Sequence, residues 1–83
     1  MAALRNPVAT EFLRTEVETA SLFANIAASA ESQEKKRRNM RNARVGYEVY
    51  FMGQLGLTSD EREEIGIGVL ELRRMLANLG EEF

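Results

Sequence analysis

Apolar side chains recur along most of this chain at alternating intervals of three and four residues, and that spacing restricts it to helices that each bury one stripe. Leu13, Val17, Ala20, Ala24 and Ala27 form the first stripe, widened by Phe12, Phe23 and Ile26. Met40, Ala43, Tyr47, Tyr50 or Phe51, and Leu55 form the second. Ile65, Val69, Leu72, Leu76 and Leu79 form the third. The single proline, Pro7, stands where a first helix can begin, so it breaks nothing.

Local signals divide the pattern into helices over about 8–30, 34–55 and 59–79. The third has the clearest start. Thr58 precedes Glu61 by three positions, the spacing of a capping box. Asp60, Glu61, Glu63 and Glu64 load its first turns with negative charge, and Arg73 and Arg74 lie towards the other end, both favourable against the helix dipole. Gly80 stops it, and Gly56 is read as a left-handed cap closing the second helix. The first break falls at Ser29–Gln33, with Ser32 as the cap of the second helix. No glycine or proline enforces a turn there, so one continuous helix is the competing expectation. Short connections favour antiparallel neighbours, and the expected fold is all-α, an up-down-up three-helix bundle in a single domain over 1–83. The alanines late in the first helix, and Gly66 and Gly68 in the third, mark places where another helix can come close.

Composition narrows the function. The chain has neither cysteine nor histidine. Disulfides, thiolate metal sites and thiol catalysis are therefore excluded, as is the commonest metal ligand. Serine and threonine have no imidazole base, which removes triad chemistry. Glu61, Glu63 and Glu64 lack the alternating oxygen ligands and central glycine of a calcium loop, and helix-start electrostatics account for them. Gly66-Ile67-Gly68 lacks the preceding strand and third glycine of a phosphate loop. The expectation is a protein that is not an enzyme, with no cofactor and no metal.

A net charge of −2 gives no global drive towards nucleic acid or anionic lipid. No apolar run approaches the roughly 20 residues needed to cross a bilayer. Ala28-Ser29-Ala30 imitates a signal-peptidase site, but Glu11, Glu16 and Glu18 precede it where a signal peptide carries positive charge. The expectation is a cytoplasmic protein without a membrane partner.

Two clusters remain as candidate binding sites. Tyr47, Tyr50, Phe51 and Met52 form a dense aromatic and methionine group that suits either a core or a surface for a protein partner or a second copy in a homodimer. Lys35, Lys36, Arg37, Arg38, Arg41 and Arg44 hold six of the eleven basic residues. Arg37, Arg41 and Arg44 share one side of a helix, a ridge able to contact the phosphates of nucleic acid or another polyanion. The competing reading is a solvated face, or one compensated by the acidic start of the third helix. No aromatic residue interleaves with the run, so it offers no base-stacking surface.

In the stretch Asn42 to Tyr50, Ala43 precedes Tyr47 by four positions and Tyr50 follows three later. That pattern resembles the second helix of tetratricopeptide-like hairpins. With an alanine-rich helix before it and a third helix after it, the chain is also similar in outline to microtubule-interacting and trafficking domains, three-helix bundles that bind helical peptides in a groove. The resemblance implies helix-hairpin packing and a role in protein binding. It implies no particular partner.

Overall fold

The computed structural model describes residues 7–83. Three helices follow in order: α1 Pro7–Ala28, α2 Gln33–Gly53 and α3 Ser59–Asn78, with a 3-10 turn at Gln54–Gly56 between the last two. Among the described residues there is no strand, and no helix is long and apolar enough to cross a membrane. Early α1 meets both the end of α2, where Leu13 rests on Gly53, and the start of α3, where Thr10 meets Glu61. Late α1 meets late α3, with Ala24 in one cluster with Leu72 and Leu76. The bundle is therefore up-down-up, with α1 and α3 parallel and α2 antiparallel to both.

The break after α1 is real because a cap makes it so. Ser32 is extended (φ −111°, ψ 148°), and its hydroxyl accepts from the Lys35 N–H at 3.1 Å. That bond satisfies one of the donors a helix start leaves open. The continuous-helix alternative fails here. The capping box of α3 is complete. Thr58 Oγ1 accepts from the Glu61 N–H at 3.2 Å, and Glu61 Oε1 accepts from the Thr58 N–H at 2.9 Å.

Glu61 also has a tertiary role. Its side chain is buried, and Thr10 Oγ1 donates to its Oε2 at 2.7 Å, tying α1 to the start of α3. Glu61→Ala ends both side-chain bonds and is expected to lower stability by about 1–3 kcal/mol. Glu61→Gln keeps an acceptor for the Thr58 N–H and supplies a donor towards Thr10, so it should recover most of that loss. Thermal melts followed by circular dichroism test this, and equal losses in the two variants would refute the assignment.

Two readings of the glycines and of the second stripe change. Gly56 does not take a left-handed conformation and lies in the 3-10 turn, where Leu57 N–H bonds Gln54 O at 3.0 Å. The chain leaves α2 through that turn because Leu57 is drawn into the core. Among the described residues only Gly80 has positive φ, at +105°. It closes α3 with paired bonds from Gly80 N–H to Ala77 O and from Glu81 N–H to Leu76 O, each 3.0 Å, the Schellman pattern.

The buried line of α2 is Asn39, Ala43, Gly46 and Tyr50; of the expected Met40, Ala43, Tyr47, Tyr50 or Phe51, and Leu55, only Ala43 and Tyr50 lie on it. Leu55 is 85% exposed. The line rotates towards small residues because α1 approaches there too closely for large ones. A Cβ placed on Gly46 would lie 2.5 Å from Ala20 Cβ and 2.9 Å from Glu16 O. Asn39 is admitted because its Nδ2 donates to Lys35 O at 2.8 Å, so its polar group is satisfied.

The central residues of the first stripe and the third stripe bury as expected, with Leu79 only partly covered. Of the residues expected to widen the first stripe, Phe23 is half-buried and Phe12 and Ile26 are exposed, since they lie to the sides of the line that meets α2 and α3. Large leucines of α3 stand on alanines: Leu72 and Leu76 are wholly buried against Ala20, Ala24 and Ala43. The result is a rod of 52 × 20 × 16 Å with a radius of gyration of 13.8 Å. A spherical domain of this length would have about 12 Å. The elongation leaves a high share of side chains on long lateral faces, and function has to be sought there.

Candidate interaction surface

α1 holds α2 closely, whereas α2 and α3 touch each other least of the three pairs. Between them runs an open groove with a depression of about 390 Å³. Gly66 has no side chain to fill it, so the floor reaches down to the Tyr50 hydroxyl. Phe51 stands on the α2 side, and Ile67 and Leu70 on the α3 side. They are 46%, 69% and 67% exposed. On α3 each residue turns by about 100°, so with Ile65, Val69 and Leu72 facing inward, Ile67 and Leu70 are forced outward. Two large apolar residues off the inward seam were the available sequence signal for this surface, and the seam's own regularity hides them.

The four residues of the aromatic cluster part company. Tyr50 is a core residue, packed with Leu13, Val17, Ile65 and Val69, and its hydroxyl donates to Arg62 O at 3.4 Å. Tyr47 is half-buried and supports both core clusters. Its ring also lies 4.9 Å from that of Phe51 and 5.0 Å from that of Phe83. Phe51 lines the groove. Met52 is 83% exposed and lies outside the groove lining.

The basic run also divides. Arg44 is engaged: Nε donates to Glu48 at 3.1 Å, a terminal nitrogen donates to Glu82 O at 3.0 Å, and Glu81 is 3.8 Å away. Its guanidinium lies 4.4 Å from the centre of the Phe83 ring, which Arg73 approaches from another side at 5.1 Å. The segment after Gly80 is thereby folded back onto α2. Lys35, Lys36, Arg37, Arg38 and Arg41 make no ion pair among the described residues.

The acidic start of α3 does not compensate them, because α2 and α3 run antiparallel and put it at the far end of the rod. Glu64 there pairs with Arg14 at 3.2 Å, and Arg14 also pairs with Glu11. Further along α3, Arg74 Nε donates to Glu71 at 3.0 Å. That hydrogen bond, with the arginine's charge, holds the exposed Glu71 carboxyl below its ordinary range.

No family model, no curated protein and no solved structure matches the chain.

Proposed function

We propose that this chain is a non-enzymatic helical interaction module whose α2/α3 groove takes the apolar face of a further helix. The observation that supports this reading is the exposure of Phe51, Ile67 and Leu70 on adjoining walls of one groove floored by Gly66. Three large apolar side chains in one place favour a partner, because covering the part of each still exposed gains a corresponding share of the about 1.5–3 kcal/mol that full burial supplies. A helix is the fitting occupant. It presents apolar residues at three- and four-residue intervals along a line, which is what a groove between two helices receives. The absence of histidine and cysteine fits binding rather than catalysis, and a cysteine-free chain suits the cytoplasm.

Selection from a displayed library of peptides tests the groove. Selected peptides are expected to carry apolar residues at helical spacing and to lose at least about tenfold in affinity on Leu70→Glu, roughly 1.4 kcal/mol. Leu70 is exposed, so the fold should survive, and circular dichroism checks that it does. Peptides without helical spacing, or binding indifferent to Leu70→Glu and Ile67→Glu, would refute the reading.

A further inference from the structure

We infer that the occupant of this face is a second copy of the chain, packed antiparallel about a two-fold axis at the level of Tyr47 and Leu70. The inference rests on the groove reading above and adds its partner. Unpaired charge carries it first. Arg37 and Arg41 near the start of α2 make no ion pair among the described residues, and neither do Asp60 and Glu63 at the start of α3. Because α2 and α3 are antiparallel, these two sets lie at opposite ends of the rod, Glu63 in the groove lining beside Arg62. Two copies side by side in parallel set like charge against like. Turned antiparallel, each basic end meets an acidic end.

Register carries it second. Tyr47 packs against the clusters that hold Val69 and Leu72, so Tyr47 and Leu70 share a level along the rod. Arg41 is six residues from Tyr47, about 9 Å along the axis, and Glu63 is seven from Leu70, about 10.5 Å the other way. Arg37 and Asp60 are each ten residues from that level, about 15 Å. One two-fold axis therefore sets Arg41 against Glu63 and Arg37 against Asp60 of the other copy, twice over. Near that axis lie Leu70, Ile67 and the exposed edge of Phe83. Phe51 sits opposite the level of Arg44 and Arg73 in the other copy.

Size is sufficient. A stable interface covers about 800 Å² on each partner. The long side of this rod is 52 × 20 Å.

Sedimentation equilibrium of the full chain tests the inference. Self-association is expected, weakening as salt rises. Arg37→Glu with Arg41→Glu should weaken it at least about tenfold, and so should Asp60→Lys with Glu63→Lys, since each sets like charges together. An equimolar mixture of the two double variants should restore a dimer within about threefold of the parent, because opposite charges then meet at both ends. Failure of the mixture to associate overturns the inference even if one variant is poorly folded, provided circular dichroism shows both helical. A chain that stays monomeric at millimolar concentration also overturns it. If that monomer still binds selected peptides through Leu70, the groove reading stands and only the second copy falls. If it instead binds oligonucleotides through Arg37 and Arg41, the ridge is a phosphate-binding surface. A dimer unaffected by Leu70→Glu forms through another face and overturns the inference, while the groove reading is decided by whether selected peptides lose affinity on Leu70→Glu.

Discussion

Gly46→Val is expected to leave the chain largely unfolded, and Gly46→Ala to lower the melting temperature by about 8–16 °C. The reason is the distance between α1 and α2. The first added carbon would stand 2.5 Å from Ala20 Cβ and 2.9 Å from Glu16 O. The second of these is backbone and cannot rotate aside, so the helices must separate. Overpacking of this kind costs about 1–3 kcal/mol, and here the upper end applies because the contact lies along the closest helix pair. Alanine returns up to about 1 kcal/mol of helix propensity, leaving a net loss of roughly 2 kcal/mol. One kcal/mol moves the midpoint of a domain this size by about 4–8 °C. Valine adds two further methyls to the same clash, against a total stability of only about 4–12 kcal/mol.

Gly66→Ala is the internal comparison. Its Cβ would meet the Tyr50 hydroxyl at 3.6 Å, an ordinary contact. It should therefore stabilise by roughly 0.5–1 kcal/mol through propensity alone. Opposite signs at two helical glycines of one protein are measurable in a single series of thermal melts. A neutral Gly46→Ala would mean that α1 and α2 lie farther apart than described.

Gly46 also shows where sequence reading stops. The stripes of α1 and α3 are legible because large or repeated apolar residues mark their buried sides. The caps at Ser32 and Thr58 are legible because a cap needs only a hydroxyl and the next three residues. The buried side of α2 is not legible by hydrophobicity. Its closest approach demands the residues with least side chain, and Gly46 and the self-satisfied Asn39 do not score as apolar. Choosing Met40, Tyr47 and Leu55 instead turns the helix by about one residue, roughly 100°.

The candidate surface inherits that turn. Tyr50 goes to the core and Phe51 to the groove. Ile67 and Leu70 matter only once the angle between α2 and α3 is known. The removal of Arg44 from the basic ridge depends on the fold-back after Gly80, a long-range event no local pattern encodes. The separation of basic and acidic ends likewise follows from the antiparallel run of α2 and α3, although the charges themselves are plain in the sequence.

Leu72→Ala and Leu76→Ala are each expected to cost about 3–5 kcal/mol, the upper part of the range for buried leucines. Both side chains are wholly buried in a cluster with the methyl groups of Ala20, Ala24 and Ala43, with Phe23, Tyr47 and Met75 packed at its margin. A methyl on a rigid helix cannot reach into the space a leucine vacates. Closing the cavity from the alanine side needs α3 to shift as a whole, so relaxation recovers only part of the loss. Leu70→Ala, two positions before Leu72, removes a side chain that is 67% exposed and should change stability by less than about 0.5 kcal/mol. The same substitution on one helix thus separates two roles: at 72 or 76 it should lower the denaturant midpoint with binding intact in whatever remains folded, and at 70 it should weaken association and leave the midpoint alone at concentrations dilute enough for the parent to be monomeric. Urea titrations of the three variants decide this. A loss below about 1 kcal/mol at Leu72 would contradict the seating of α3 on the alanines. A large loss at Leu70 would mean that the groove is closed in the folded chain.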